Sequence, residues 1–239
     1  MMASLKVYGE LRPPERAAAM RPDQLFHLEP RMRDAVVSRC HRATYQPGQS
    51  LFEQGARHTH SYIIEEGLVR TYYTASSGRE ITMAYWSEGD LVGGPNFFGD
   101  GYHTWSGTVQ RTTRVLAIRG RDLKQLAHHH PEIALWMANT LMFKLRWVSI
   151  LFQLHGTESV KQRLCKLILM LADIYGVGDG NRVLIKHRIN QSDLATLVGA
   201  SRQWTNKILS ELQVLGLLGL EDRHIIISDI SALQALIDD

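Results

Sequence analysis

Residues 190–215, NQSDLATLVGASRQWTNKILSELQVL, decide the fold of this chain. Leu194, Ala195 and Val198 recur at helical spacing and give a first short helix one apolar face. Gly199 then supplies a tight turn, because a residue without Cβ takes a positive φ at little cost. Ser201 stands where an N-cap is wanted, and Ile208, Leu209, Leu212 and Leu215 make the buried stripe of a second helix. The small Ala195 lets the two helices cross closely, which is the geometry of a helix-turn-helix. Arg202, Gln203, Asn206 and Lys207 are left pointing outward at the start of the second helix. These donor and acceptor types read base edges or grip phosphate.

The flanks sharpen this reading. Downstream, Gly216 and Gly219 bracket Leu217-Leu218, and LGLEDRHIIIS alternates as two short strands around Glu221–His224. Upstream, RVLIKHRI reads as a strand leading to Asn190, where Asp193 is placed to complete a capping box. Strand, helix-turn-helix and hairpin together describe a winged helix. Before it, Glu158–Tyr175 is an amphipathic helix with Leu164, Leu167, Ile168 and Leu171 inward, followed by a flexible turn over residues 176–180. The final DISALQALID is a short capped helix.

A longer helix precedes these elements. From Pro131 to about Leu154 there is neither Gly nor another Pro, and His155-Gly156 is expected to break the helix. Ala134, Ala138, Leu141, Leu145, Val148 and Phe152 alternate at spacings of four and three, the pattern of a coiled-coil seam. Trp136, Phe143, Trp147, Ile150 and Leu154 make the opposite side apolar as well. A helix with two apolar faces needs two partners. One face is expected to meet a β domain and the other the same helix of a second subunit, which makes a homodimer.

That β domain lies between Ala43 and about Ile118, after short helical patterns near residues 23–41. Short apolar strands are interrupted there by Gly48, Gly55, Gly67, Gly78 and Gly89, a spacing that suggests a barrel or jelly-roll-like sandwich. The expected class is α+β, in four parts: an arm over residues 1–23, a β-roll over 24–130, a dimerisation helix over 131–155, and a winged helix over 156–239.

Composition bounds the function. The chain has 239 residues, 44% apolar and 21% charged, and a formal charge of +3, which permits nucleic-acid binding without requiring it. No window approaches ~18 uninterrupted apolar residues, so no membrane partner is expected. MMASLKVYGELRPPERAAAMRP has no continuous hydrophobic run of the secretory type, and a cytoplasmic location is expected. Cys40 and Cys165 are far apart and read as free thiols, so no iron–sulfur cluster is expected. His128-His129-His130 falls at a join between helices, where adjacent side chains diverge, and His58 and His60 fall in a turn, so no metal site is assigned. With no nucleophile elbow, paired carboxylates or phosphate loop, no catalytic residue is assigned and the chain does not read as an enzyme.

A β-roll, a long dimer helix and a C-terminal winged helix, in that order, resemble the Crp–Fnr family of bacterial transcription regulators over roughly residues 24–228. The resemblance is carried by PGQSLFEQG, EEGLVR, GREITMAYWSEGDLVG and NQSDLATLVGASRQWTNKILSELQVLGLL. It implies a homodimer on a pseudo-palindromic double-stranded DNA site that recruits or obstructs RNA polymerase, with an effector in the roll shifting the long helices. Family recognition helices begin Ser-Arg-Glu with a basic residue four positions after the acid. Here Ser201-Arg202-Gln203 and Lys207 occupy those places, and Gln203 suits adenine rather than the cytosine partner of a glutamate. Ser192 and Thr205 would contact phosphate.

The same resemblance fails in the roll. Cyclic-AMP-binding members hold ribose and phosphate with a Gly-Glu pair and an Arg-Ser pair, which here fall on Val92-Gly93 and His103-Thr104. The adenine-facing polar pair falls on Val148-Ser149. A lost charge-assisted partner costs about 2–5 kcal/mol, so tight cyclic AMP binding is not expected. In its place Asn96, Phe97, Phe98, Tyr102, His103 and Trp105 would line an aromatic pocket closed by Met142 and Trp147. Arg70, Arg79 or His103 would anchor a small-molecule effector. Two readings stand beside this pocket: the aromatics simply fill the roll, or a histidine such as His103 ligates haem iron. For the chain as a whole, a ligand-sensing protein whose winged helix serves protein interaction is the alternative to a DNA reader.

Overall fold

The computed structural model describes residues 24–99, 101–178, 181–186, 189–221 and 224–238. The expected arm over residues 1–23 lies outside them. The chain divides into two compact units, with the boundary between Val148 and Ser149.

The first unit opens with a 3₁₀ turn, Leu25–His27, and helix α1, Pro30–Val37. Strands β1 (His41–Tyr45), β2 (Ser50–Phe52), β3 (His60–Thr74), β4 (Glu80–Trp86), β5 (Leu91–Val92) and β6 (Ser106–Arg119) follow. They form one antiparallel sheet in the order β1-β6-β3-β4, with β2 joined to β6 and β5 to β3. Helix α2, Gly120–His129, and the long helix α3, Pro131–Thr157, come next. The core gathers Leu25, Met32, Val36, Ile63, Phe97 and Ile118 with Ile133 and Trp136 of α3.

Two boundaries depart from the sequence reading. Gly67 does not end a strand: β3 passes through it, with the β3–β6 register shifting on either side. Its φ of +123° and its close approach to Thr113, where a Cβ would lie 2.2 Å from Oγ1, make it a bulge that only glycine fits. Nor does His155-Gly156 stop the long helix, which runs to Thr157. The amide of Glu158 still bonds the carbonyl of Leu154 at 3.2 Å. A glycine lowers helix stability by only about 1 kcal/mol. The terminator is the start of the next helix, where Ser159 and Gln162 exchange side-chain bonds in a capping box.

The second unit takes residues 149–157 of α3 and continues through α4 (Val160–Tyr175), β7 (Gly176–Val177) and β8 (Val183–Ile185). Then come α5 (Gln191–Val198), α6 (Arg202–Val214), β9 (Leu218–Glu221), β10 (His224–Ile227) and α7 (Ile230–Asp238). The sheet order is β7-β8-β10-β9. Gly176-Val177 thus pairs with β8 instead of forming part of a free turn, and β8 is only three residues long. The carboxylate of Asp229 accepts from the amide of Ala232 at 3.0 Å and caps α7. No helix among the described residues is long and apolar enough to cross a membrane.

Candidate nucleic-acid interface and the β-roll cassette

The reader is built from local signals. Asn190 and Asp193 cap α5 reciprocally: Asn190 Oδ1 accepts from the Asp193 amide at 2.9 Å, and Asp193 Oδ2 accepts from the Asn190 amide at 3.0 Å. Gly199 adopts φ +67°, and the amide of Ala200 bonds Ala195 O at 3.0 Å, closing the turn. Ser201 Oγ accepts from the Trp204 amide at 3.2 Å and starts α6. Leu194, Ala195, Leu197 and Val198 of α5 and Ile208, Leu209 and Leu212 of α6 are buried, whereas Leu215, expected in the same stripe, follows the last turn of α6 and is exposed. The opposite side of α6 is left open.

Ser201, Arg202, Gln203 and Lys207 are exposed there, Asn206 is half-buried, and Ser192 is half-buried in the first turn of α5. Thr205 departs from the expectation. It is fully buried and its hydroxyl has no hydrogen-bond partner, because it sits on the same side as Ile208 and Leu212 and faces the core rather than a phosphate. The sequence reading also passes over Trp204, which is 48% exposed with Lys207 Nζ 5.0 Å from its ring centroid. A tryptophan three residues before a lysine in a helix was the available signal.

Of the second apolar face expected on the long helix, Trp136, Trp147 and Leu154 are buried, whereas Phe143 and Ile150 are only half-buried. Ala134, Ala138, Leu141, Leu145, Val148 and Phe152 are all exposed, Leu145 by 68% and Phe152 by 80%. On the other side, Ile133, Trp136, Met137, Trp147, Leu151 and Leu154 are buried. Trp147 also donates its indole N–H to the carbonyl of Met83 at 2.8 Å.

The cassette is assembled differently. His103 is pinned by its backbone, donating to Ala56 O at 2.9 Å and accepting from the Gly55 amide at 2.8 Å. Its ring stacks on Phe52, with centroids 4.6 Å apart, and lies 4.5 Å from His58. His58 is therefore not a solvated turn residue: it is 2% exposed, and His103 6%. Neither nitrogen of His58, nor Nδ1 of His103, completes a hydrogen bond of normal geometry. Burial pushes both imidazoles down, His103 to about 4 with the His58 charge adding to the effect, while the Gly93 backbone weakly opposes it.

The other cassette residues differ in burial. Phe97 is in the core, Trp105 is half-buried, and Asn96, Phe98 and Tyr102 are exposed, Tyr102 by 70%. Arg70 donates to Thr82 Oγ1 at 2.8 Å and to Glu80 at 2.7 Å and lies over Tyr72, whereas Arg79 is exposed. Met142 is exposed while Trp147 is buried, since five helical residues place them on different sides. A surface groove of about 510 Å³ lies elsewhere, lined by Phe26, Arg42, Ala43, Thr44, Glu65, Glu88 and Arg114. Cys40 and Cys165 are free, and burial raises their thiols to about 12 and about 11, which makes them poor nucleophiles.

Both regions match known protein families. Residues 42–130 match the cyclic nucleotide-binding domain family, and residues 162–236 match the Crp-like helix-turn-helix domain. The chain belongs to the Crp–Fnr family of transcription regulators. The CRP-like cAMP-activated global transcriptional regulator of Mycobacterium tuberculosis is 29% identical over 203 residues, covering 84% of this chain and 90% of that one. The cyclic AMP receptor protein of Thermus thermophilus is 29% identical over 202 residues, with coverage of 84% and 90%. The structure of FixK2 from Bradyrhizobium japonicum superposes with a TM-score of 0.72 at 20% identity, covering 82% of this chain and 96% of that one.

Crp–Fnr regulators bind DNA and form dimers, and this chain's relatives are regulators rather than enzymes. The Val92-Gly93 and His103-Thr104 positions carry neither a carboxylate nor a guanidinium. Val92 is buried and His103 is stacked on Phe52.

Proposed function

We propose that this Crp–Fnr regulator binds a two-fold-symmetric duplex as a homodimer, each protomer inserting the start of α6 into the major groove. The observation that carries the reading is the set of exposed polar side chains Ser201, Arg202, Gln203 and Lys207 beside the buried Ile208, Leu209 and Leu212. Arg202 forks onto guanine O6 and N7, Gln203 pairs with adenine, and Lys207 serves base or phosphate. Ser201 and Ser192 sit at helix starts, where the amide ends favour phosphate. The unpartnered apolar face of α3 supplies the dimer seam, and DNA half-sites one helical turn apart match such two-fold symmetry.

The β-roll serves an effector other than cyclic AMP, or the protein works without one and is set by its own abundance. Neither a phosphate partner nor a ribose partner stands where cyclic AMP would need it. On DNA in the cytoplasm the dimer acts on transcription by recruiting or obstructing RNA polymerase. The test is selection of bound duplexes from a random library with purified protein and no added effector. A palindromic site with adenine at the position facing Gln203 is the expected result. Failure to enrich any duplex, alone and with cell extract, overturns the reading.

A further inference from the structure

One imidazole ties the end of the long helix to the reader. His155 lies in the last turn of α3, with Nε2 3.1 Å from the carbonyl of Leu197 in α5 and Nδ1 3.0 Å from a terminal nitrogen of Arg163 in α4. A carbonyl can only accept and a guanidinium can only donate, so both bonds are satisfied by one species: a neutral ring carrying its proton on Nε2. The ring also fills the space that a side chain at residue 199 would occupy. A Cβ on Gly199 would fall 2.8 Å from His155 Cε1. Gly199 thus meets two demands at once, the left-handed turn and the imidazole pressed against it.

We infer that His155 is a positioning residue for DNA binding: it holds the turn between α5 and α6 against the end of α3 and so sets how α6 is presented. This rests on the DNA reading proposed above. The clamp acts two residues before Ser201, the cap that starts α6, so a small rotation there displaces Arg202, Gln203 and Lys207 together. It is also proton-sensitive. A proton on Nδ1 removes the acceptor for Arg163 and sets two cations in contact. Burial above all, and then the Arg163 charge, keep the ring below the ordinary histidine range, while the Leu197 carbonyl opposes them. Glu158, the nearest carboxylate in sequence, is engaged by Lys166.

The sign of the pH effect distinguishes this device from ordinary electrostatics. Protonating histidines makes a protein more cationic and strengthens its hold on phosphate. Opening the clamp weakens it. The experiment measures affinity of the full-length chain for its selected duplex at pH 7.5 and 5.8, at fixed salt, for the natural protein, His155→Phe and His155→Gln. Glutamine can donate to Leu197 and accept from Arg163 without titrating.

The expected result at pH 7.5 is a loss of about 3- to 10-fold for His155→Phe, the worth of one or two hydrogen bonds. The loss falls equally on all sequences and leaves the dimer mass unchanged, while His155→Gln stays within about twofold of the natural protein. On acidification the natural protein weakens and His155→Gln does not. Imidazole ¹⁵N shifts of the DNA-free protein are expected to give the Nε2–H tautomer for His155. Equal pH responses in the natural protein and His155→Gln, natural affinity in His155→Phe, or the opposite tautomer overturns the inference. If the natural protein binds no duplex at either pH, the DNA reading fails and this inference fails with it.

Discussion

Helix α6 and the 93–105 stretch of the β-roll handle their polar side chains in opposite ways. At the start of α6, arginine, glutamine and lysine stand open to solvent, opposite the buried Ile208, Leu209 and Leu212. In the roll, His103 and Phe97 are packed away and Arg70 is bound by Glu80. Tyr102 and Phe98 face outward. An open turn costs little stability and is free to meet a ligand. A packed ring such as Phe97 contributes to the core. The exposed face of α3 belongs with the first kind of surface, since Leu145 and Phe152 are largely open to solvent.

The contrast can be broken by mutation. The largest effect is expected at α3: Leu145→Glu places a carboxylate in the seam twice per dimer, forfeiting about 1.5–3 kcal/mol of burial at each copy. Light scattering should then report the 27.1 kDa protomer instead of its double. An unchanged mass would refute the seam. In the roll, Phe97→Ala should destabilise the protein by about 3–5 kcal/mol in a denaturant titration, since a buried ring leaves a cavity. Unaltered stability would mean that the cassette is looser than its packing indicates.

A smaller effect concerns protons. Folded His103 titrates at about 4, well below the ordinary 6.5 of the unfolded chain. Between those values the unfolded state binds more protons, so stability is complete above about pH 6.5 and drains away as the pH falls toward 4. The loss amounts to about 2–3 kcal/mol. His103→Phe, which keeps a ring on Phe52, should flatten the stability profile over that window, and a slope equal to that of the natural protein would contradict a buried neutral imidazole. The smallest effect belongs to the open turn. Arg202→Ala should leave stability unchanged and weaken DNA binding by about 1–3 kcal/mol with relaxed preference at one base. A uniform loss across sequences would make Arg202 a phosphate contact instead.

The parts that were legible share a physical character. Capping by Asn190, Asp193 and Ser201, the glycine turn and the buried stripe of α6 are settled within a few residues, by hydrogen bonds and side-chain spacing along one helix. The two-faced pattern of α3 is likewise a periodicity. Thr205 shows the limit even here: its hydroxyl suggested phosphate, but helical phase placed it among Ile208 and Leu212. The 93–105 stretch has no such short-range rule, because what its side chains touch depends on strands 40 and more residues away, as with Phe52 on His103.

By itself, then, the sequence determined the order of elements, the reader turn and the apolar outer face of α3, all consequences of local spacing or residue identity. Only the tertiary structure decided that β3 bulges through Gly67, that His58 is buried against His103, and that α3 outlasts its glycine to bring His155 against Gly199. Those outcomes depend on atoms distant in the chain arriving within a few ångströms of each other, and no periodicity records such a meeting.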